Sequence, residues 1–135
     1  MERERMNNFN KKILVTATLL GAITIAMGAF GAHGLKKLVD AASVASFETG
    51  VRYQMYHVLA LVILGFAPRI SESTKWWVFW FFMVGILFFS GSIYILSLKS
   101  QWSFNVTFLG PITPLGGLLF MIGWLRWCYG IMKLK

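Results

Sequence analysis

From Ile13 to Ala32 the chain runs about 20 residues without a charge, ILVTATLLGAITIAMGAFGA, long enough as a helix to cross a hydrocarbon core of ~30 Å. Trp76 to Leu98 and Pro111 to Met132 have the same character, the latter broken only by Arg126. Such runs leave few folds open. Inside lipid every backbone N–H and C=O must be paired within its own segment, which favours helices. Composition closes the soluble alternative. Of 135 residues 57% are hydrophobic and 13% charged, and mean hydropathy is +0.65. A soluble domain of this size has too much surface for its volume to hide that much apolar area. An aromatic content of 16% excludes disorder. Cys128 is the only cysteine, so no internal disulfide framework exists.

The expected fold class is an all-α membrane protein: four transmembrane helices in an up-down bundle, with spans at about 13–33, 52–67, 76–98 and 111–132. Residues 1–12 form a polar N-terminal tail ahead of a single domain, 13–135. A cleaved signal peptide is the alternative for the first run, which is longer than the usual 7–15 apolar residues of such a segment. His33 to Arg52 has mixed character, with Val39, Ala42 and Ala45 at helical spacing beside Lys36, Lys37, Asp40 and Glu48. It reads as an amphipathic helix lying on the membrane surface in the first loop. Lys36 with Asp40, and Glu48 with Arg52, are spaced for i,i+4 pairs. The apolar stretch Tyr53 to Ala67 rises only about 22 Å as a helix. The second span therefore reaches back through Arg52, whose stem snorkels to the interface, and Pro68 ends it. Trp76, Trp77 and Trp80 open the third span at the depth where tryptophan is enriched, and Trp124 and Trp127 mark the far end of the fourth. Thr113-Pro114 has the form of an N-cap followed by proline in the first turn.

Net charge is +8, from thirteen basic and five acidic residues. The basic residues sit between apolar runs and form no stripe with interleaved aromatics, which argues against nucleic acid. They orient the chain instead. With four spans, Arg3, Arg5, Lys11, Lys12, Arg69, Lys75, Arg126, Lys133 and Lys135 share one side, against Lys36, Lys37, Arg52 and Lys99 on the other. The excess places both termini in the cytoplasm.

Helices in lipid gain little from hydrophobic burial against one another and depend on close backbone packing. Gly21 and Gly28 recur at seven residues on the first span, with Gly31 and Gly34 extending the small face. Gly85 and Ser92 do so on the third, and Gly116, Gly123 and Gly130 on the fourth, with Gly117 alongside. These are packing seams by spacing. The other reading is that Gly116-Gly117 leaves room for a ligand against the backbone.

Ionisable and polar residues in or near a membrane are where function is sought. His33, Lys36, Asp40, Glu48, Arg52, Gln54 and His57 cluster at the end of the first span, the first loop and the start of the second. The topology places all of them near the non-cytoplasmic interface. His33 and His57 are the only histidines. Two imidazoles brought together could ligate a metal or haem, but no cysteine or further carboxylate joins them at ligand spacing. The plainer reading is that each ties the loop to the bundle through a hydrogen bond. Ser90, Ser92, Ser97, Ser100 and Ser103 have no histidine near them in sequence, and no phosphate-cradling loop or HExxH is present. No catalytic residue, metal or cofactor is expected.

The run Gly28-Ala29-Phe30-Gly31-Ala32-His33-Gly34-Leu35 resembles the signature of the YgdD-like small four-span membrane proteins, a family known only as a domain of unknown function. Phe47-Glu48-Thr49-Gly50-Val51-Arg52-Tyr53-Gln54-Met55-Tyr56-His57 is similar to its second block, and Ile112-Thr113-Pro114-Leu115-Gly116-Gly117 with Gly123-Trp124 to its last. The resemblance implies an integral protein of the bacterial plasma membrane and offers no catalytic residues to carry over. The expected role is non-catalytic, as an accessory or lipid-interacting protein, with Arg52 holding a lipid phosphate. Membrane lipids are the expected partners, with a homo-oligomer or a further membrane protein also open. The first rival is a small oligomeric transporter or channel built on His33, Glu48, Arg52 and His57. The second is a haem- or metal-binding membrane protein.

Overall fold

The computed structural model describes residues 5–135; of the expected polar tail, residues 1–4 lie outside the described part. Four long helices account for most of the chain, and no strand occurs among the described residues. Helix α1 is Asn8–Ala32, opened by the Asn7 side chain, which accepts from Phe9 N–H at 2.8 Å. Capping thus carries the helix back through Lys11 and Lys12, about a turn before the apolar run begins.

Helix α2 is Ala41–Phe66, and it corrects the sequence reading of this region. No separate surface helix precedes the second span. A short 3-10 turn, Leu35–Lys37, follows α1, and one unbroken helix of 26 residues then begins at Asp40. The Asp40 carboxylate accepts from Ser43 N–H at 2.8 Å. This N-cap starts the helix, nothing between Ala41 and Phe66 removes a backbone donor, and the stop comes only at Ala67-Pro68. Hydrogen bonding from Ser43, aided by the Lys99 charge, holds the Asp40 carboxyl below the ordinary carboxylate range. The cap has taken Asp40 away from the anticipated pair with Lys36.

Helix α3 is Glu72–Ser97. Ser71 caps it by accepting from Thr74 N–H, and Glu72 sits in its first turn, where a carboxylate suits the helix dipole. One turn, Leu87–Gly91, widens to π-helical geometry. Helix α4 is Ile112–Met132. Thr113 does not cap it: the helix starts one residue earlier, and the Thr113 hydroxyl pairs with Ser92 of α3.

The pairing of helices is written in their glycines. Gly21, Gly28 and Gly31 of α1 face Val58, Val51 and Phe47 of α2, and Gly65 of α2 faces Leu14. Rising numbers meet falling ones, so the two helices are antiparallel. Gly85 of α3 faces Phe120 of α4, while Gly116, Gly123 and Gly130 of α4 face Phe89, Phe82 and Thr74 of α3, again antiparallel. Gly50 of α2 meets Tyr94 and Ile93 of α3 and joins the two hairpins. Gly34 stands apart from these seams, against the ring of Phe30 in its own segment.

The apolar interior runs from Ile13, Leu61, Leu64 and Val78 to Phe82, Phe120 and Trp127, with a smaller cluster of Leu35, Val44 and Phe47 at the other end. Leu19, Ile25, Leu59, Ile63, Leu87, Met121 and Leu125 point outward and are exposed. An apolar exterior this extensive suits lipid. Trp127 is part of the interior rather than an interfacial marker, because it packs on Phe82 and stacks on Trp124. Three segments, Asn8–Lys37, Glu72–Ser97 and Thr107–Met132, are long and apolar enough to cross a membrane. Helix α2 has the length, about 39 Å, but its first half carries Glu48, Arg52, Gln54 and His57.

One end of the bundle is tied by polar contacts. Asn7 donates to Glu72, the buried Lys75 donates to Asn10 Oδ1 at 3.0 Å, and Arg126 donates to Thr74 Oγ1 at 3.0 Å. The start of α1, the turn before α3 and the last turns of α4 therefore share that end. At the other end Gln101 donates to the carbonyl of Leu38.

Candidate functional site

Polar side chains meet across three helices inside the bundle. Thr24 of α1 is fully buried; its hydroxyl donates to the carbonyl of Leu20 and accepts from Gln54 Nε2 at 2.7 Å. Gln54 Oε1 accepts from the Tyr94 hydroxyl at 2.6 Å. The buried Ser90, in the π-helical turn, donates to the carbonyl of Gly50 at 2.7 Å. These bonds link α1, α2 and α3, and connected polar networks of this kind fix a packing register.

His57 lies deeper. Trp124 Nε1 can only donate, and it does so to His57 Nε2 at 3.1 Å. Nε2 therefore carries no proton, and Nδ1–H donates to the carbonyl of Tyr53 at 2.7 Å. In this arrangement the imidazole is neutral and both nitrogens are used. Its face lies 3.6 Å from the Phe120 ring, nearly parallel, and Phe82 meets it edge-on at 4.8 Å.

His57 stands roughly 14 Å along α2 from Phe66 and roughly 24 Å from Ala41, at 1.5 Å per residue. Through Val58 it is level with Gly21, near the middle of the uncharged run 13–32 of α1, and not at the interface the sequence suggested. The difference arises because α2 starts at Ala41 and not near Arg52.

The expected cluster accordingly divides in two. Gln54 and His57 are buried, whereas His33, Lys36, Glu48 and Arg52 are exposed. His33 caps the end of α1, and Gly21 of α1 is level with Val58. The two histidines are therefore separated by roughly 18 Å along the helix axis, and His57 has no free nitrogen to offer. No group of three metal-ligating side chains gathers among the described residues. None of the hydrogen bonds among the described residues joins Glu48 to Arg52, though both lie on the outer side of α2. The four residues on which a transport path would be built do not converge within one chain.

Beside His57 a groove of ≈620 Å³ opens between α2 and α4. Tyr53, His57, Phe89, Pro114, Gly117, Leu118, Phe120, Met121 and Trp124 line it. Gly117 is thus separated in role from its neighbour. A Cβ at Gly116 would collide with the backbone nitrogen of Phe89, whereas one at Gly117 would find nothing closer than 3.8 Å. Gly116 lets two backbones touch, and Gly117 leaves the groove open. Tyr94, Thr24 and Ser90 belong to no sequence motif. The available signal is that a hydroxyl inside an otherwise apolar helix must find an acceptor.

Two antiparallel hairpins, apolar outside and sealed by glycines, with Thr24, Gln54, Tyr94 and His57 hydrogen-bonded inside, define a small all-helical membrane protein. The chain belongs to the family described as protein of unknown function DUF423, whose model matches residues 27–117. It is 38% identical over 124 residues to the UPF0382 membrane protein SSP2132 of Staphylococcus saprophyticus, covering 92% of this chain and 99% of that one. It is 37% identical over 131 residues to a UPF0382 membrane protein of Haemophilus influenzae, covering 92% and 96%. To the UPF0382 inner membrane protein YgdD of Escherichia coli K12 it is 38% identical over 128 residues, covering 91% of each. No solved structure matches it.

Proposed function

We propose that this chain is a four-span protein of the bacterial plasma membrane, with both termini in the cytoplasm, that acts without catalysis by holding lipid against its side. The observation that carries this reading is the groove of ≈620 Å³ between α2 and α4. At mid-depth in a bilayer an open apolar groove is surrounded by hydrocarbon, so an acyl chain is its natural occupant. Tyr53, Phe89, Leu118 and Met121 offer the chain apolar contact, and the polar edge of His57 is already closed by Trp124. Arg52, exposed on α2 beside Tyr53, has the reach to hold a phosphate nearer the surface. The inner-membrane name of the Escherichia coli relative and the apolar exterior support the location.

The test is the mass of lipid retained when the protein is released from gentle detergent into a mass spectrometer. The wild type is expected to carry phospholipid. Gly117→Trp fills the groove from a position with room for a side chain and is expected to lose an adduct; Arg52→Ala is expected to weaken retention. Lipid content unchanged in both variants would sink the reading.

A further inference from the structure

At the end of the bundle away from the termini, α2 begins, α3 finishes and the connection 98–111 passes between them. A cleft of ≈550 Å³ opens there, lined by Asp40, Ser43, Ser46, Ser97, Lys99 and Thr107, with Ile93 and Leu96 in its apolar lining. A second hollow beside it shares Asp40, Ser43 and Lys99 and adds Lys37.

Ser97 is the informative residue. It is only 4% exposed, and its Oγ is a buried polar atom with no hydrogen-bond partner among the described residues. A helical serine or threonine usually returns its hydroxyl to a carbonyl of the preceding turn. Thr18, Thr24 and Thr49 all do so here, and Ser97 does not. An unpaired buried hydroxyl is costly, so one that lines a cleft is available to something seated in it. The charges are arranged in the same sense. Asp40 uses Oδ1 for the N-cap, which leaves its second oxygen as an acceptor. Lys99 is near enough to act on that carboxylate, yet no hydrogen bond among the described residues joins the two.

We propose that this cleft seats the headgroup of a phospholipid bearing both phosphate and ammonium, the phosphoethanolamine class. Lys37 and Lys99 take the phosphate, Asp40 takes the ammonium, and Ser97 donates to a phosphate or glycerol oxygen. The apolar lining of Ile93 and Leu96 is where the acyl chains leave for the hydrocarbon. A soluble anion has no use for that lining, and a phosphatidylglycerol headgroup has no ammonium for Asp40. The inference rests on the lipid-holding reading and makes it specific to a headgroup.

The experiment offers the full-length protein equal amounts of phosphatidylethanolamine and phosphatidylglycerol in mixed micelles and compares the bound masses by native mass spectrometry. Phosphatidylethanolamine is expected to exceed phosphatidylglycerol by a factor of about two to five, the worth of one solvent-accessible charge pair. Asp40→Asn keeps a side chain that caps helices well and is expected to bring the ratio to about one. Lys99→Gln and Ser97→Ala are expected to lower the phosphatidylethanolamine adduct, with gel filtration confirming that each variant stays folded. Equal binding of the two lipids, unaltered by Asp40→Asn, overturns the headgroup assignment. So does preferential retention of soluble O-phosphoethanolamine over either lipid. If equal binding is accompanied by loss of adducts in Gly117→Trp, the lipid-holding reading survives and the headgroup assignment alone fails. A wild type that keeps neither lipid removes both.

Discussion

Gln54 supplies both halves of the polar closure between α1 and α3, donating to Thr24 and accepting from Tyr94. Gln54→Met keeps nearly the same volume and strands the Tyr94 hydroxyl in an apolar setting. Unpaired buried groups cost about 1–3 kcal/mol, but hydrogen bonds between helices in lipid average nearer 0.6. A loss of about 1–2 kcal/mol is therefore expected in detergent-monitored unfolding. The Gln54→Met, Tyr94→Phe double variant should lose less than the sum of the single changes, because the second removes the group that the first left stranded. Strict additivity would mean the bond adds nothing. His57 makes a spectroscopic prediction. With Trp124 donating to Nε2, nitrogen NMR should show the Nδ1–H tautomer, and a signal from protonated Nε2 would contradict the assignment. In sequence His57 is conspicuous as one of two histidines, but its partner is 67 residues away, beyond any local pattern. For that reason a hydrogen bond to a nearby carbonyl could be expected of it, but neither its depth nor its Trp124 partner could be read.

Among the helices, adjacent glycines differ more than spacing suggests. Gly116→Ala drives a methyl into the backbone of Phe89, against its nitrogen and Cα. Backbone cannot rotate aside as a side chain can, so α3 and α4 must part, at about 1–3 kcal/mol or more. Gly117→Ala adds a methyl with ordinary clearance and should be near neutral. Thermal melts of the pair in one detergent decide the matter, and equal destabilisation would show that the close crossing is not at Gly116. The N-cap of α2 is a second test at this scale. Asp40 is held low by bonds from Ser43, so its contribution is complete at neutral pH and is lost as pH falls through that depressed value. Amides of the first turn of α2 should exchange faster in acid below the ordinary carboxylate range, and Asp40→Asn should remove this pH dependence. Apolar runs made the four helices legible in sequence, whereas the one cap the sequence suggested, Thr113, does not cap α4. What misled was charge: Glu48 and Arg52 suggested a surface element, but helix continuity is governed by backbone donors and stops, and none intervenes between Asp40 and Ala67.

For the molecule as a whole, the structure brings the start of α1, the turn before α3 and the last turns of α4 to one end through Asn7–Glu72, Lys75–Asn10 and Arg126–Thr74. The basic residues among those described divide accordingly: Arg5, Lys11, Lys12, Arg69, Lys75, Arg126, Lys133 and Lys135 belong in sequence to this end, against Lys36, Lys37, Arg52 and Lys99 toward the other. Lys75 is buried against Asn10, and leaving it out of the count keeps the bias intact. A C-terminal fusion to a protein that fluoresces only in the cytoplasm should therefore be bright, and one to an enzyme active only outside it should be silent. The same bias makes a stronger prediction. Lysine and arginine near span ends orient helices far more than acidic residues do. Changing Lys11, Lys12, Arg69, Lys133 and Lys135 to glutamine should thus shift part of the population to the inverted state, with signal appearing in the second fusion, whereas Glu72→Gln should leave the topology as it was. If α2, with its polar first half, failed to cross, the two termini would lie on opposite sides. Fusions at the two ends would then disagree, and a four-span arrangement would have to be abandoned.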